Sequence, residues 1–244
     1  MSKTSLHTRR IAISAIFLSI ALVLRLVLTF YLPIYGHNGV RVNPGTIFAI
    51  LPAILFGPVY GAIVAGLFDL LGFLLRPTGT FLPWMTIVVA TGGLLRGFLW
   101  RGLRTRNPKA LRVCILIFAI LLFLSSAFNL IVLHIGGINA RLIGAAGFAL
   151  LLLAVDRILS KWLVKEERQS PVLPLTITIL LAGLFVSTLN TVVLHRIFWS
   201  AIPFTAVWVP RVAISLLVDV VFVYFVALLL GLFERQEGLK NLVE

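Results

Sequence analysis

Cysteine is nearly absent from this chain. Only Cys114 occurs, inside an apolar run, so a disulfide framework and a cysteine-based metal site are both excluded. Charge is scarce as well. Asp, Glu, Lys and Arg make up 12% of the 244 residues, and only 8 residues are acidic. The usual catalytic signatures are missing: there is no H-E-x-x-H, no G-x-S-x-G, no P-loop and no pair of intramembrane glutamates. ATP hydrolysis by the P-loop route is therefore ruled out, and neither a cofactor nor a metal is expected. The histidines His7, His37, His134 and His195 are scattered, and the last two read as interfacial polar residues rather than ligands.

What is present is apolar length. Hydrophobic residues make up 60% of the chain, in runs of about 20 residues, long enough to cross a bilayer. The expected fold is an all-α integral membrane bundle of about eight transmembrane helices, one membrane domain over residues 1–244. The spans read as Ile11–Pro33, a short Gly45–Phe56, Val59–Leu75, Leu82–Trp100, Val113–Ile135, Leu142–Leu163, Val172–Leu194 and Phe204–Phe233. The first is too long for a cleavable signal, and no small-x-small site follows it.

The formal net charge of +13 could suggest nucleic acid, but the cations sit in loops between apolar runs, so no nucleic-acid partner is expected. With the N-terminus in the cytoplasm, fourteen cations fall inside: Lys3, Arg9, Arg10, Arg101, Arg104, Arg106, Lys109, Arg112, Arg157, Lys161, Lys165, Arg168, Arg235 and Lys240. Five fall outside: Arg41, Arg76, Arg141, Arg196 and Arg211. This positive-inside bias predicts a multi-pass protein of the cell membrane with both termini cytoplasmic.

The stretch Phe56–Thr86 organises the chain. Gly57, Gly61, Ala65, Asp69 and Phe73 fall four apart, on one helical face. Small residues on one face let membrane helices approach closely. Asp69 is therefore expected to face protein rather than lipid, as a structural ion pair, a helix–helix hydrogen bond or a ligand contact. Other polar groups recur at a comparable depth. Arg25 lies in the first span. Ser187, Asn190, Thr191 and Leu194 share a face of the seventh span, and Arg211, Ser215 and Asp219 share a face of the eighth. They either converge on one outward-opening pocket or make separate helix–helix contacts. The aromatics Phe81, Trp84, Phe198, Trp199, Phe204 and Trp208 lie near the outer ends, where an interfacial belt and stacking on a flat ligand both account for them. The loop Tyr35–Pro44, which contains Asn43, reads as a lid or a plain connector.

One internal echo occurs: Asn129–His134, NLIVLH, matches Asn190–His195, NTVVLH. It suggests that residues 113–168 are an inserted helical hairpin that arose by duplication; coincidence explains it equally well.

The stretch GPVYGAIVAGLFDLLGFLLRPTGTFLPWMT, followed by GGLLRGFLWR, resembles the substrate-binding S components of energy-coupling factor (ECF) transporters, and is most similar to their folate-type branch. The similarity rests on Gly57, Pro58, Gly61, Asp69, Gly72, Phe81, Pro83, Gly93 and Gly97, on Asn190-Thr191 with Leu194, and on Pro210-Arg211. It covers most of residues 9–101 and 183–233. It implies a binding protein for a vitamin, folate favoured, with no enzymatic activity. Its partners would be a transmembrane coupling subunit and two ATPases. The substrate-binding candidates are Arg25, Asn43, Asp69, Phe81, Trp84, Asn190, Thr191, Trp208 and Arg211. The family's first helix commonly carries an Ala-x-x-x-Ala contact for the coupling subunit; this chain departs from it, the nearest equivalent being Ala15-x-x-x-Ser19 with Ala12 on a neighbouring part of the face. The chain departs from the family in having eight expected spans where six are usual. Two other readings stand beside this one: a membrane scaffold of the cell-shape type, and a lipid-acting intramembrane enzyme using Asp69, Asp156 and Asp219.

Overall fold

A computed structural model describes residues 3–34, 37–77, 79–128, 136–163 and 172–234. In chain order the elements are α1 (Lys3–Val27), β1 (Phe30–Ile34), β2 (His37–Val42), α2 (Gly45–Leu55), α3 (Pro58–Leu75), α4 (Pro83–Leu103), α5 (Pro108–Phe128), α6 (Gly136–Leu163), α7 (Val172–Phe198) and α8 (Phe204–Glu234). The fold is an all-α membrane bundle, with eight helices among the described residues, as the apolar runs require. Five stretches among the described residues are long and apolar enough to cross a bilayer: Leu6–Val27, Pro58–Leu75, Ile143–Lys161, Val172–Phe198 and Phe204–Phe233.

The chain forms two compact units. The first holds Met1–Gly102 and Thr178–Glu244. Its centre is α2, which packs on α1, α3 and α8. This helix is apolar on every side, with Ile50 and Leu51 fully buried, as such a helix must be. Its 11 residues extend about 16 Å, roughly half the hydrocarbon thickness, so the expected second span does not cross a bilayer alone. The turn from α2 to α3 needs Gly57, at φ 102°. The Arg101 guanidinium occupies the space a β-carbon would take there and donates to the Phe56 carbonyl at 3.3 Å. The predicted small-residue face on α3 is buried. A β-carbon on Gly61 would collide with Ala53 and would lie 2.7 Å from the Gly93 carbonyl, so α2, α3 and α4 meet at backbone distance.

The first span differs from expectation. The run was expected to stay helical to Pro33, but α1 stops at Val27 and Phe30–Ile34 pairs antiparallel with His37–Val42. The Thr29 hydroxyl turns back onto the Arg25 carbonyl. Pro33 has no N–H for a further helical turn, and it sits at the register shift between Leu32 and Pro33, where a strand tolerates it. Part of the loop Tyr35–Pro44 is thus a strand of a hairpin; Tyr35 and Gly36 lie outside the described residues.

The second unit is Leu103–Ile177, in which α5 and α6 pack on each other. Arg112 donates to Asp156 at 2.7 Å, and Asp156 is fully buried. The Asn129–His134 half of the internal echo lies outside the described residues.

Candidate functional site

The polar groups expected on separate spans of the first unit converge. A cavity of about 500 Å³ is lined from α1, the hairpin, α2, α3, α4, α7 and α8, a size suited to a small organic ligand. No lining residue comes from the described residues of 103–177. The basic and acidic side chains in the lining are Arg25, Arg41, Arg96 and Arg211 against Asp69 and Asp219, two more cations than anions.

Asp69 is held from three elements. Its Oδ1 accepts from Arg41 on β2 at 3.0 Å and lies 3.6 Å from Arg25 on α1. Its Oδ2 accepts from the Thr86 hydroxyl on α4 at 2.9 Å. Arg25 also donates to the Phe68 carbonyl at 2.5 Å, and its guanidinium sits over the Phe68 ring, 5.1 Å from the centroid. Gly72 makes room for that guanidinium, since a β-carbon there would overlap it. Asp69 therefore serves as a structural ion pair, and it also lines the cavity. A buried pair of this kind is strongly destabilised when one partner is removed.

Arg211 on α8 differs from Arg25. It is 6% exposed. Its Nε donates to Thr191 Oγ1 on α7 at 3.0 Å, and the Thr191 hydroxyl in turn donates to the Ser187 carbonyl at 2.6 Å. The guanidinium lies over the Trp199 ring at 5.6 Å. Its Nη1 has no hydrogen-bond partner, and among the described residues no carboxylate pairs with it. Asn190 lines the same wall, and its Oδ1 also lacks a partner.

The remaining candidates divide. Asn43 and Phe81 line the cavity. The Asn43 side chain accepts from the Gly45 N–H at 2.8 Å, which secures the start of α2, and its Nδ2 is left without a partner. Thr191 is fully buried behind Arg211 rather than in the lining. Trp84 and Trp208 do not line the cavity. Trp84 is 65% exposed, as an interfacial belt residue would be, and Trp208 donates to Thr188 and stacks on Phe204. Trp199, in the turn between α7 and α8, takes the place at the cavity that Trp84 was expected to hold. Arg96 and Asp219 also line the cavity and were not among the expected binding residues; the signal available in the sequence was their charge within apolar spans. His195 contacts the Ile202 carbonyl at 2.7 Å, tying the α7–α8 turn. Ala12, Ala15 and Ser19 lie on the exposed side of α1.

The three acids proposed for a lipid-acting enzyme do not form a catalytic group. Asp69 is engaged by arginines, Asp156 pairs with Arg112 in the other unit, and the described residues contain no cluster that could hold a metal.

Comparison with known proteins agrees. No curated protein and no solved structure matches the chain. Residues 5–154 match the family model described as ECF-type riboflavin transporter, S component. The matched stretch covers more than half of the chain and includes α5 and most of α6. The chain therefore belongs to the ECF transporter S-component family and is a multi-pass membrane protein, the substrate-specific component of a vitamin uptake system and not an enzyme.

Proposed function

We propose that this S component captures a vitamin carrying a flat ring and an anionic group, folate being the first candidate. The observation that carries this reading is Arg211: buried at the cavity wall, braced by Thr191 and Trp199, and with Nη1 unused. A buried guanidinium without an acidic partner is costly, and a ligand carboxylate would offset that cost with a planar, two-pronged hydrogen bond. The excess of two cations in the lining favours the same charge. Phe81 and Trp199 supply aromatic faces for a ring. Riboflavin is the second reading, favoured by the description of the matching family. Mass spectrometry of small molecules that copurify in detergent, followed by calorimetric titration, tests both. Folate in the purified protein, with tight binding, is the expected result. Copurification and tight binding of riboflavin alone would replace folate with the neutral vitamin.

The partners proposed are a transmembrane coupling subunit, docking on the α1 face of Ala12, Ala15 and Ser19, and two ATPases. We also propose that residues 113–168 form a hairpin added to a six-helix core, since none of the described residues among them lines the cavity, although the family match runs through α5 and into α6.

A further inference from the structure

A second polar site lies in the same cavity. Arg96 on α4 and Asp219 on α8 both line it, 8% and 7% exposed. Their charges act on each other, yet among the described residues no ion pair joins them. Arg96 Nε and Asp219 Oδ2 are both without a partner. The Asp219 carboxylate is seated against Gly183 on α7, where a β-carbon would overlap it. A buried donor and a buried acceptor left unsatisfied in one cavity are expensive, and native structures rarely keep two such groups without a use.

The chemistry of the pair selects its occupant. Arg offers only donors, and an ionised Asp offers only acceptors. An anion would be repelled by Asp219 and a cation by Arg96. The fitting group is neutral and presents an acceptor and a donor next to each other. We infer that Arg96 and Asp219 bind the edge of a heteroaromatic lactam, with Arg96 donating to its C=O and Asp219 accepting from its N–H. This rests on the vitamin-binding reading above and deepens it. Arg211 and Asp219 are eight residues apart on α8, hence about 12 Å along its axis. The ring edge is therefore held at one end of the cavity and the anionic group at the other.

The test uses the full chain in detergent with four probes: folate, riboflavin, and a derivative of each N-methylated at the lactam nitrogen. Wild type is expected to bind a parent vitamin about ten- to a hundredfold more tightly than its N-methyl derivative. Replacing both charges, in Arg96→Met with Asp219→Leu, removes the pair without leaving one charge buried alone, so the protein is expected to stay folded. In that variant parent affinity falls by a similar factor and the gap between parent and derivative closes. Gly183→Ala, which displaces the carboxylate, is expected to act in the same direction. A folded double variant with wild-type affinity overturns the inference. So does an equal loss for parent and derivative, which marks the pair as mere packing. Failure of wild type to bind either vitamin overturns the vitamin reading itself, and the ring-edge assignment with it.

Discussion

Arg41 on β2 donates to Asp69 on α3 at 3.0 Å, and the same carboxylate oxygen lies 3.6 Å from Arg25 on α1. One acid thus ties the hairpin and the first helix to the third. Asp69→Ala leaves Arg25 buried without its counter-charge and is expected to cost about 3–5 kcal/mol. Arg41 is a third exposed, so Arg41→Ala is expected to cost about 1 kcal/mol or less. Thermal or denaturant unfolding in detergent measures both. Equal costs would show that Arg25 does not depend on Asp69.

Arg211→Ala is expected to weaken binding of a carboxylate-bearing ligand about ten- to a hundredfold, equivalent to about 1.5–3 kcal/mol. Arg211→Lys keeps the charge but loses the planar fork and should weaken binding less. Titration of both variants with folate decides. Wild-type affinity in a folded Arg211→Ala protein would remove this residue from the site.

Gly61→Leu should force α3 away from Ala53 and the Gly93 carbonyl. Overpacking of this kind costs about 1–3 kcal/mol or more, and here it meets backbone, which yields little. The expected result is loss of folded protein or of ligand binding. Normal yield with unchanged affinity would mean that the three helices do not depend on their close approach.

Asp156→Ala leaves Arg112 without its buried partner in the second unit. Stability is expected to fall while ligand affinity is unchanged, because none of the described residues of 103–177 lines the cavity. Reduced affinity in a folded variant would show that α5 and α6 shape the site.

For topology, a cysteine at Asn107 in a Cys114→Ala background is expected to resist impermeant thiol reagents in intact cells and to react once the membrane is opened. Labelling of intact cells would reverse the assignment of sides.

Much of the protein was legible in its sequence because the bilayer imposes simple rules. Helices must be long and apolar, cations gather on one side, and small residues mark where helices touch. These rules located the helices, the buried face of α3 and the isolated charges Arg25, Asp69 and Arg211. What only the tertiary structure decided was how the charges are partnered. Arg41 reaches Asp69 because Phe30–Ile34 leaves the helix and folds back as a strand, an outcome hidden by the unbroken apolar run. Trp199 rather than Trp84 joins the cavity because the α7–α8 turn brings it beneath Arg211, whereas Trp84 lies on the outer side of α4. Arg96 and Asp219, 123 positions apart, line one cavity only because α4 and α8 both border it, and no local pattern encodes which distant helices meet at a cavity.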